Sequence, residues 1–330
     1  MRRTANEIMN QGVEASKLPT VLLLTTDNPL TREIARALLE SGFQVKAVGT
    51  SEKVLGVLNS KPNFQFHKIN LAKQPIIRSY LYGLDYVIYL DRDLDLLDKI
   101  RHTYQSLEHF KSKPPGLLFL SSSRVFSSPK EDDNLENSPK NPTTQLGSDY
   151  CAAEDVVSSY SQNLQTRACI IRIPPIWDPS LTDEPFANLS QLLRQHKPLS
   201  MIQEDPIYIQ WVQIHDLFTL LELLLKSQWS GLETIHYYSY SAFLPDVIGE
   251  ICSAMGSRSQ LKEIKKAPSF LQSLVVRSPT LKQNLESIMK WEDLGFLNLP
   301  PLGMEQTLRL IEKPRLKIGS FLSSFSRRGR

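Results

Sequence analysis

Short apolar runs alternate with amphipathic stretches through the first half of the chain, and this alternation predicts its architecture. Thr20 to Thr25 (Thr-Val-Leu-Leu-Leu-Thr) is apolar without a polar alternate, as suits a strand buried on both faces of a parallel sheet. Asp27 or Asn28 can cap a helix that opens with Pro29. Leu30, Ile34, Ala37, Leu38 and Ser41 follow helical spacing in it, and Gly42 closes it. Further strands are predicted over Phe43–Val48, Phe64–Ile69, Tyr86–Leu90, Gly116–Leu120 and Ala168–Ile173. Helices are predicted over Ile76–Tyr82, over Leu94–Ser112, and from the region of Tyr150 to about Gln165. Strands alternating with helices imply an α/β fold with a parallel sheet covered on both faces.

After Pro174 the pattern changes. Prolines cluster at Pro174, Pro175, Pro179 and Pro185. Helical patterns follow over Phe186–His196, Asp216–Gln228, Pro245–Met255 and Met304–Ile311, with a strand over Thr234–Ser239. The sequence has no internal repeat. The last residues, 313–330, are basic and Ser-rich, with Phe321, Leu322 and Phe325 interleaved. Such a tail suits a frayed terminus, or a weak contact with an acidic partner or a membrane surface.

Composition narrows the classes. With 330 residues, 41% hydrophobic and 22% charged, the chain can bury a sizeable core. A net charge of +3 makes no global demand for nucleic acid. Cys151, Cys169 and Cys252 are scattered and odd in number, which argues for a reducing compartment and against a disulfide framework. No apolar run approaches a membrane span. Residues 1–18 lack an apolar core and carry Glu7 and Glu14, so they read as a short extension and not as a leader, and the expected location is cytoplasmic. No zinc spacing, serine-hydrolase elbow or Walker loop is present.

Several landmarks stand in a fixed order. Gly83-Leu84-Asp85-Tyr86-Val87-Ile88-Tyr89-Leu90 resembles "G-x-D-x-V-I-H-L". Leu120 to Phe126 resembles "S-S-x-x-V-Y-G", and Tyr150 to Glu154 takes the place of "Y-x-x-x-K". Arg172 to Pro179 resembles "R-x-x-N-V-Y-G-P", and Trp211 to Leu217 resembles "F-V-H-V-x-D-L". Leu294-Gly295-Phe296 with Leu308-Arg309 resembles the terminal "L-G-W … L-R". Each is weak alone. Together, from Thr20 to Ile311, they resemble the extended short-chain dehydrogenase/reductase family, which includes the nucleotide-sugar epimerases and dehydratases.

The resemblance implies a Rossmann-like, doubly wound parallel sheet over residues 19–175, to which 211–236 return. It implies a smaller C-terminal α/β substrate-type subdomain over 176–312. It also implies Ser122 as the serine of the site, Tyr150 as its acid/base and Glu154 at the position of the lysine. A homodimer is implied by the family's habit alone.

Against that pattern the chain departs twice. The cofactor loop "T-G-x-x-G-x-x-G" reads Thr25-Thr26-Asp27-Asn28-Pro29-Leu30-Thr31-Arg32, without its glycines. Those glycines serve the tight turn, close approach to pyrophosphate and helix packing. Thr26 and Pro29 add bulk, Pro29 removes a backbone donor, and Arg32 is the one side chain there able to offset the loss by reaching a phosphate. Val48-Gly49-Thr50-Ser51 offers no acid for a ribose hydroxyl, and Lys53 is the nearest cation. Second, Glu154 stands one helical turn from Tyr150, where a like charge disfavours ionising the phenol. Lys140 or Arg124 would have to enter the site to replace the missing cation. His215 reads as the residue that opens a helix, and His102 and His109 lack a carboxylate partner at metal spacing.

The joint departure points to a protein that keeps the fold without the chemistry: a scaffold, sensor or subunit that binds no cofactor. The alternative is an NAD(P)-dependent epimerase, dehydratase or reductase of a sugar nucleotide or a related small molecule.

Overall fold

The computed structural model describes residues 18–24, 29–53, 55–70, 83–90, 102, 105, 114–126, 139–178, 185–195, 199–202, 207–227, 229–259 and 261–264. In chain order the first strands are β1 (Thr20–Leu24), β2 (Gln44–Gly49), β3 (Phe64–Lys68), β4 (Tyr86–Tyr89), β5 (Gly116–Ser122) and β6 (Ala168–Ile173). They are followed by β7 (Ile176–Trp177), β8 (Leu199–Ile202), β9 (Tyr208–Gln213), β10 (Leu232–His236), β11 (Tyr240–Phe243) and β12 (Leu261–Ile264). The helices are α1 (Pro29–Glu40), α2 (Gln145–Leu164), α3 (Pro185–Arg194), α4 (Ile214–Lys226) and α5 (Leu244–Met255).

Seven strands form one sheet in the order β10-β6-β5-β4-β1-β2-β3. Every pairing in it is parallel. The absence of a polar alternate in β1 now has its reason: Val21 and Leu23 enter one core while Leu22 and Leu24 enter the other. The first core is closed by α1 and α4 and the second by α2. The expected α/β class, a parallel sheet with helices on both faces, is the architecture found.

A third apolar cluster joins Trp177, Phe186, Leu189, Ile209, Trp211, Leu244 and Ile248, outside the main sheet. It underlies a three-stranded sheet of order β11-β9-β7, beside a two-stranded pair of β12 and β8. Sequence reasoning missed these strands. They are short, and β9 runs straight into α4, so its alternation is masked by the helical pattern that follows. The strand expected over Thr234–Ser239 is β10, which starts earlier, at Leu232, and stops at His236, because residues 237–239 carry the chain over to β11 in the smaller sheet. The helices expected over Ile76–Tyr82 and Met304–Ile311, most of Leu94–Ser112, the Leu294–Phe296 landmark and the tail lie outside the described residues. Among the described residues no helix is long and apolar enough to cross a membrane.

Helix α2 is fixed at both ends. The Thr144 hydroxyl accepts from the Gly147 N–H at 3.0 Å, an N-cap bond. The Tyr160 hydroxyl donates to the Pro115 carbonyl at 2.9 Å. Its first turn lies so close to residues 123–125 that a Cβ at position 147 would run into the Arg124 carbonyl oxygen. In a free helix, Gly→Ala gains about 0.5–1 kcal/mol. Here the sign should reverse: Gly147→Ala is expected to lose about 1–3 kcal/mol through forced backbone movement, read as a lower urea midpoint.

Candidate functional site

The chemistry-bearing residues converge where α2 crosses the carboxyl ends of β5 and β6. Helix α2 runs back along β5: Tyr160 meets the strand's start, and Glu154 meets its end at Ser121. Arg172 sits in β6 directly across from Ser121 in the parallel register.

Glu154 is 1% exposed and Arg172 is 5% exposed. Arg172 Nε donates to Glu154 Oε1 at 3.0 Å, and its Nη2 donates to Oε2 at 2.9 Å. The pair is therefore bidentate, the geometry in which guanidinium and carboxylate bind best. The Ser121 hydroxyl donates to the same Oε1 at 2.7 Å. Phe126 covers the guanidinium, with its ring centre 5.2 Å from Cζ. Lys140 Nζ approaches Glu154 Oε2 at 3.6 Å but forms its shorter bond, 2.7 Å, with Asp155 Oδ1. Lys140 thus lies on the flank of α2, over Glu154 and Asp155.

Sequence spacing sets the Glu154 charge one helical turn from Tyr150; the structure adds the partner that this reading did not include. The carboxylate faces Arg172, which opposes its charge at hydrogen-bond distance. Tyr150 itself is fully buried in the second core, its ring 6.2 Å from that of Phe119. Ser122, 2% exposed, caps a short 3-10 turn over Ser123–Val125, and its Oγ accepts from the Arg124 N–H at 3.2 Å. The structure therefore brings Ser121, Glu154 and Arg172 together by hydrogen bonds, while Ser122 serves the turn beside them. Ser121 and Arg172 were missed as partners. The available signal was an arginine inside the otherwise apolar strand Ala-Cys-Ile-Ile-Arg-Ile, since a buried arginine needs an anion.

At the other end of the site, Thr26 lies outside the described residues. Pro29 is the first residue of α1. Arg32 Nε donates to Glu33 Oε1 at 3.0 Å, and Glu33 also pairs with Arg36, so the Arg32 guanidinium is engaged within its own helix. His215, the second residue of α4, is exposed, and its carbonyl accepts from Thr219 Oγ1. No group of three or more metal-ligating side chains occurs among the described residues.

Comparison with solved structures shows where this arrangement belongs. The dTDP-glucose 4,6-dehydratase of Bacillus anthracis, solved in complex with NAD, superposes with a TM-score of 0.69 at 11% identity, over 93% of this chain and 96% of that one. The UDP-glucuronic acid 4-epimerase of Bacillus cereus, in complex with UDP-glucuronic acid and NAD, gives 0.61 at 19% identity, over 83% and 99%. The UDP-N-acetylglucosamine 4-epimerase of Methanobrevibacter ruminantium gives 0.68 at 13%, over 94% and 96%. The fold is that of the extended short-chain dehydrogenase/reductases. No family model and no curated protein sequence matches the chain, so the likeness is one of three-dimensional structure.

Two of the described positions depart from the family pattern for a nicotinamide site. Where the family pattern has a lysine, a carboxylate is bonded to Arg172 and Ser121, and the Tyr150 side chain packs in the core. The first helical position beside the expected pyrophosphate is Pro29, which has no N–H to give.

One further group shares this region. His236 lies opposite Arg172 in the β10–β6 register and is 5% exposed. Burial, reinforced by the Arg172 charge, pushes its pKa down to about 3. The folded value lies below the ordinary 6.5, so the unfolded chain takes up a proton that the folded chain refuses. Stability should be full above pH 6.5 and fall with pH toward 3, by about 1.4 kcal/mol per pH unit from this group. Urea midpoints at pH 7 and pH 5 for the wild type and His236→Gln check this: the variant should show the shallower acid loss.

Proposed function

We propose that the chain is a non-catalytic protein of the extended dehydrogenase/reductase fold, acting as a scaffold, sensor or subunit. One observation carries the reading. The position that a lysine fills in the family pattern holds Glu154, and Glu154 is spent as the buried counter-ion of Arg172. General acid–base catalysis needs a reachable group tuned near the working pH. Tyr150 is fully buried and so out of reach, and no lysine stands four residues on. In this reading Ser122, Tyr150 and Glu154 are structural residues, Pro29 and Arg32 serve an ordinary helix, Thr26 holds no phosphate, and the protein is cytoplasmic. Residues 176–312 form the covering part above the 19–175 domain, and two copies of the chain assemble as a homodimer.

A second reading is favoured by the near-complete coverage of solved enzymes whose complexes hold NAD and nucleotide sugars. In it the chain is an NAD(P)-dependent epimerase or dehydratase of a sugar nucleotide.

Titration of the purified protein with NADH and NADPH, followed by fluorescence and thermal shift, separates the two. No saturable binding in the micromolar range is expected. Saturable micromolar binding would sink the first reading and support the second. Glu154→Lys is expected to give no turnover of dTDP-glucose or UDP-sugars with added NAD, because the cofactor loop is also altered and Arg172 loses its anion.

A further inference from the structure

The seam between the main sheet and the three-stranded sheet carries a polar constellation that the fold alone does not require. In β9, Ile209 and Trp211 face the third core. Strand alternation therefore turns Gln210 to the opposite side. In β11, Tyr240 and Ala242 pack on that core, and Ser241 pairs with Gln210 in the antiparallel register. Directly opposed residues of an antiparallel pair share a face, so Ser241 and Gln210 both look toward the edge strand β10. There Gln210 Oε1 meets His236 Nε2 at 2.9 Å.

Two atoms of this group are buried without a hydrogen-bond partner among the described residues: His236 Nδ1 and Ser241 Oγ. A buried polar atom left unpaired is costly, so a pair of them beside one glutamine marks a place for a polar guest. The existing bond defines that guest. With Oε1 as acceptor, Nε2 carries the ring proton and Nδ1 is a bare acceptor. The guest must donate to Nδ1 and can accept from the Ser241 hydroxyl. An anion without a proton offers nothing to Nδ1. A cation is opposed by the Arg172 guanidinium, which lies in register with His236. A neutral hydroxyl satisfies both atoms.

We propose that this seam binds one neutral hydroxyl group, donating to His236 Nδ1 and accepting from Ser241 Oγ, supplied by an internal water or by a small polyol. The guest joins β11 to β10 beside the direct Gln210–His236 bond, so it fastens the smaller sheet to the edge of the larger one. The proposal is independent of whether a nucleotide binds elsewhere in the fold.

Nitrogen NMR of protein labelled at histidine tests it on the full chain. His236 should be the Nε2–H tautomer, with Nδ1 shifted upfield of a bare imine nitrogen by an accepted hydrogen bond. A cross-relaxation signal from a slowly exchanging water to the ring protons assigns the guest as water. Absence of that signal, with a saturable shift of the same resonance on adding glycerol, assigns it as a polyol. In Ser241→Ala, which removes one partner and no apolar packing, the Nδ1 signal should move toward the bare position. An Nδ1–H tautomer, or a bare Nδ1 that neither water nor glycerol moves, would overturn the proposal. So would an Nδ1 signal that is unchanged in Ser241→Ala.

Discussion

The bidentate contact between Glu154 and Arg172 is the constraint on which the rest of this site depends. Both charges are buried, so each requires the other. The contact fixes α2 against β6, and through the Ser121 hydroxyl against β5 as well. Phe126 stacks on the guanidinium from the turn that Ser122 caps, and Lys140 leans on the outer edge of the same carboxylate. The pair therefore organises the carboxyl edge of the sheet, the edge at which ligands of open α/β folds bind.

This placement sets a buried ion pair into a fold that many different sequences share. The solved structures it resembles share the whole architecture at identities of 11–19%, so the fold tolerates wide change in sequence. Fold does not fix function, which resides in the particular groups at the site. Here those groups form a closed, charge-balanced network next to an aromatic core, and the smaller sheet is tied to the larger through Gln210 and His236. The same arginine touches both connections: it binds Glu154, and its charge adds to the burial that keeps His236 neutral.

The architecture was legible in the sequence because its signals are local. Unbroken apolar runs such as Thr-Val-Leu-Leu-Leu in β1 can only be buried on two faces, and Pro29 and Gly42 bracket α1 by simple backbone chemistry. The strands of the smaller sheets were not legible, since four-residue segments such as Leu-Ser-Met-Ile carry no period of their own. The site was half legible. The spacing of Tyr150 and Glu154 drew attention to this helix, but spacing along one helix says nothing about what faces it. Glu154 was read against Tyr150, four residues away, when its partner stood eighteen residues on in another element. The arginine within β6 was the clue, because an ion in an apolar strand demands a counter-ion from whatever packs on it.

The central claim is that Glu154 is there for Arg172. A double-mutant cycle with Glu154→Gln and Arg172→Met measures this most directly, using urea unfolding of the four proteins. Each single change should cost about 3–5 kcal/mol by leaving an uncompensated buried charge or an unpaired polar site. The double variant should be more stable than the Glu154→Gln single variant, because the stranded guanidinium is removed with its partner. Losses that simply add, or a Glu154→Gln variant as stable as the wild type, would contradict the account.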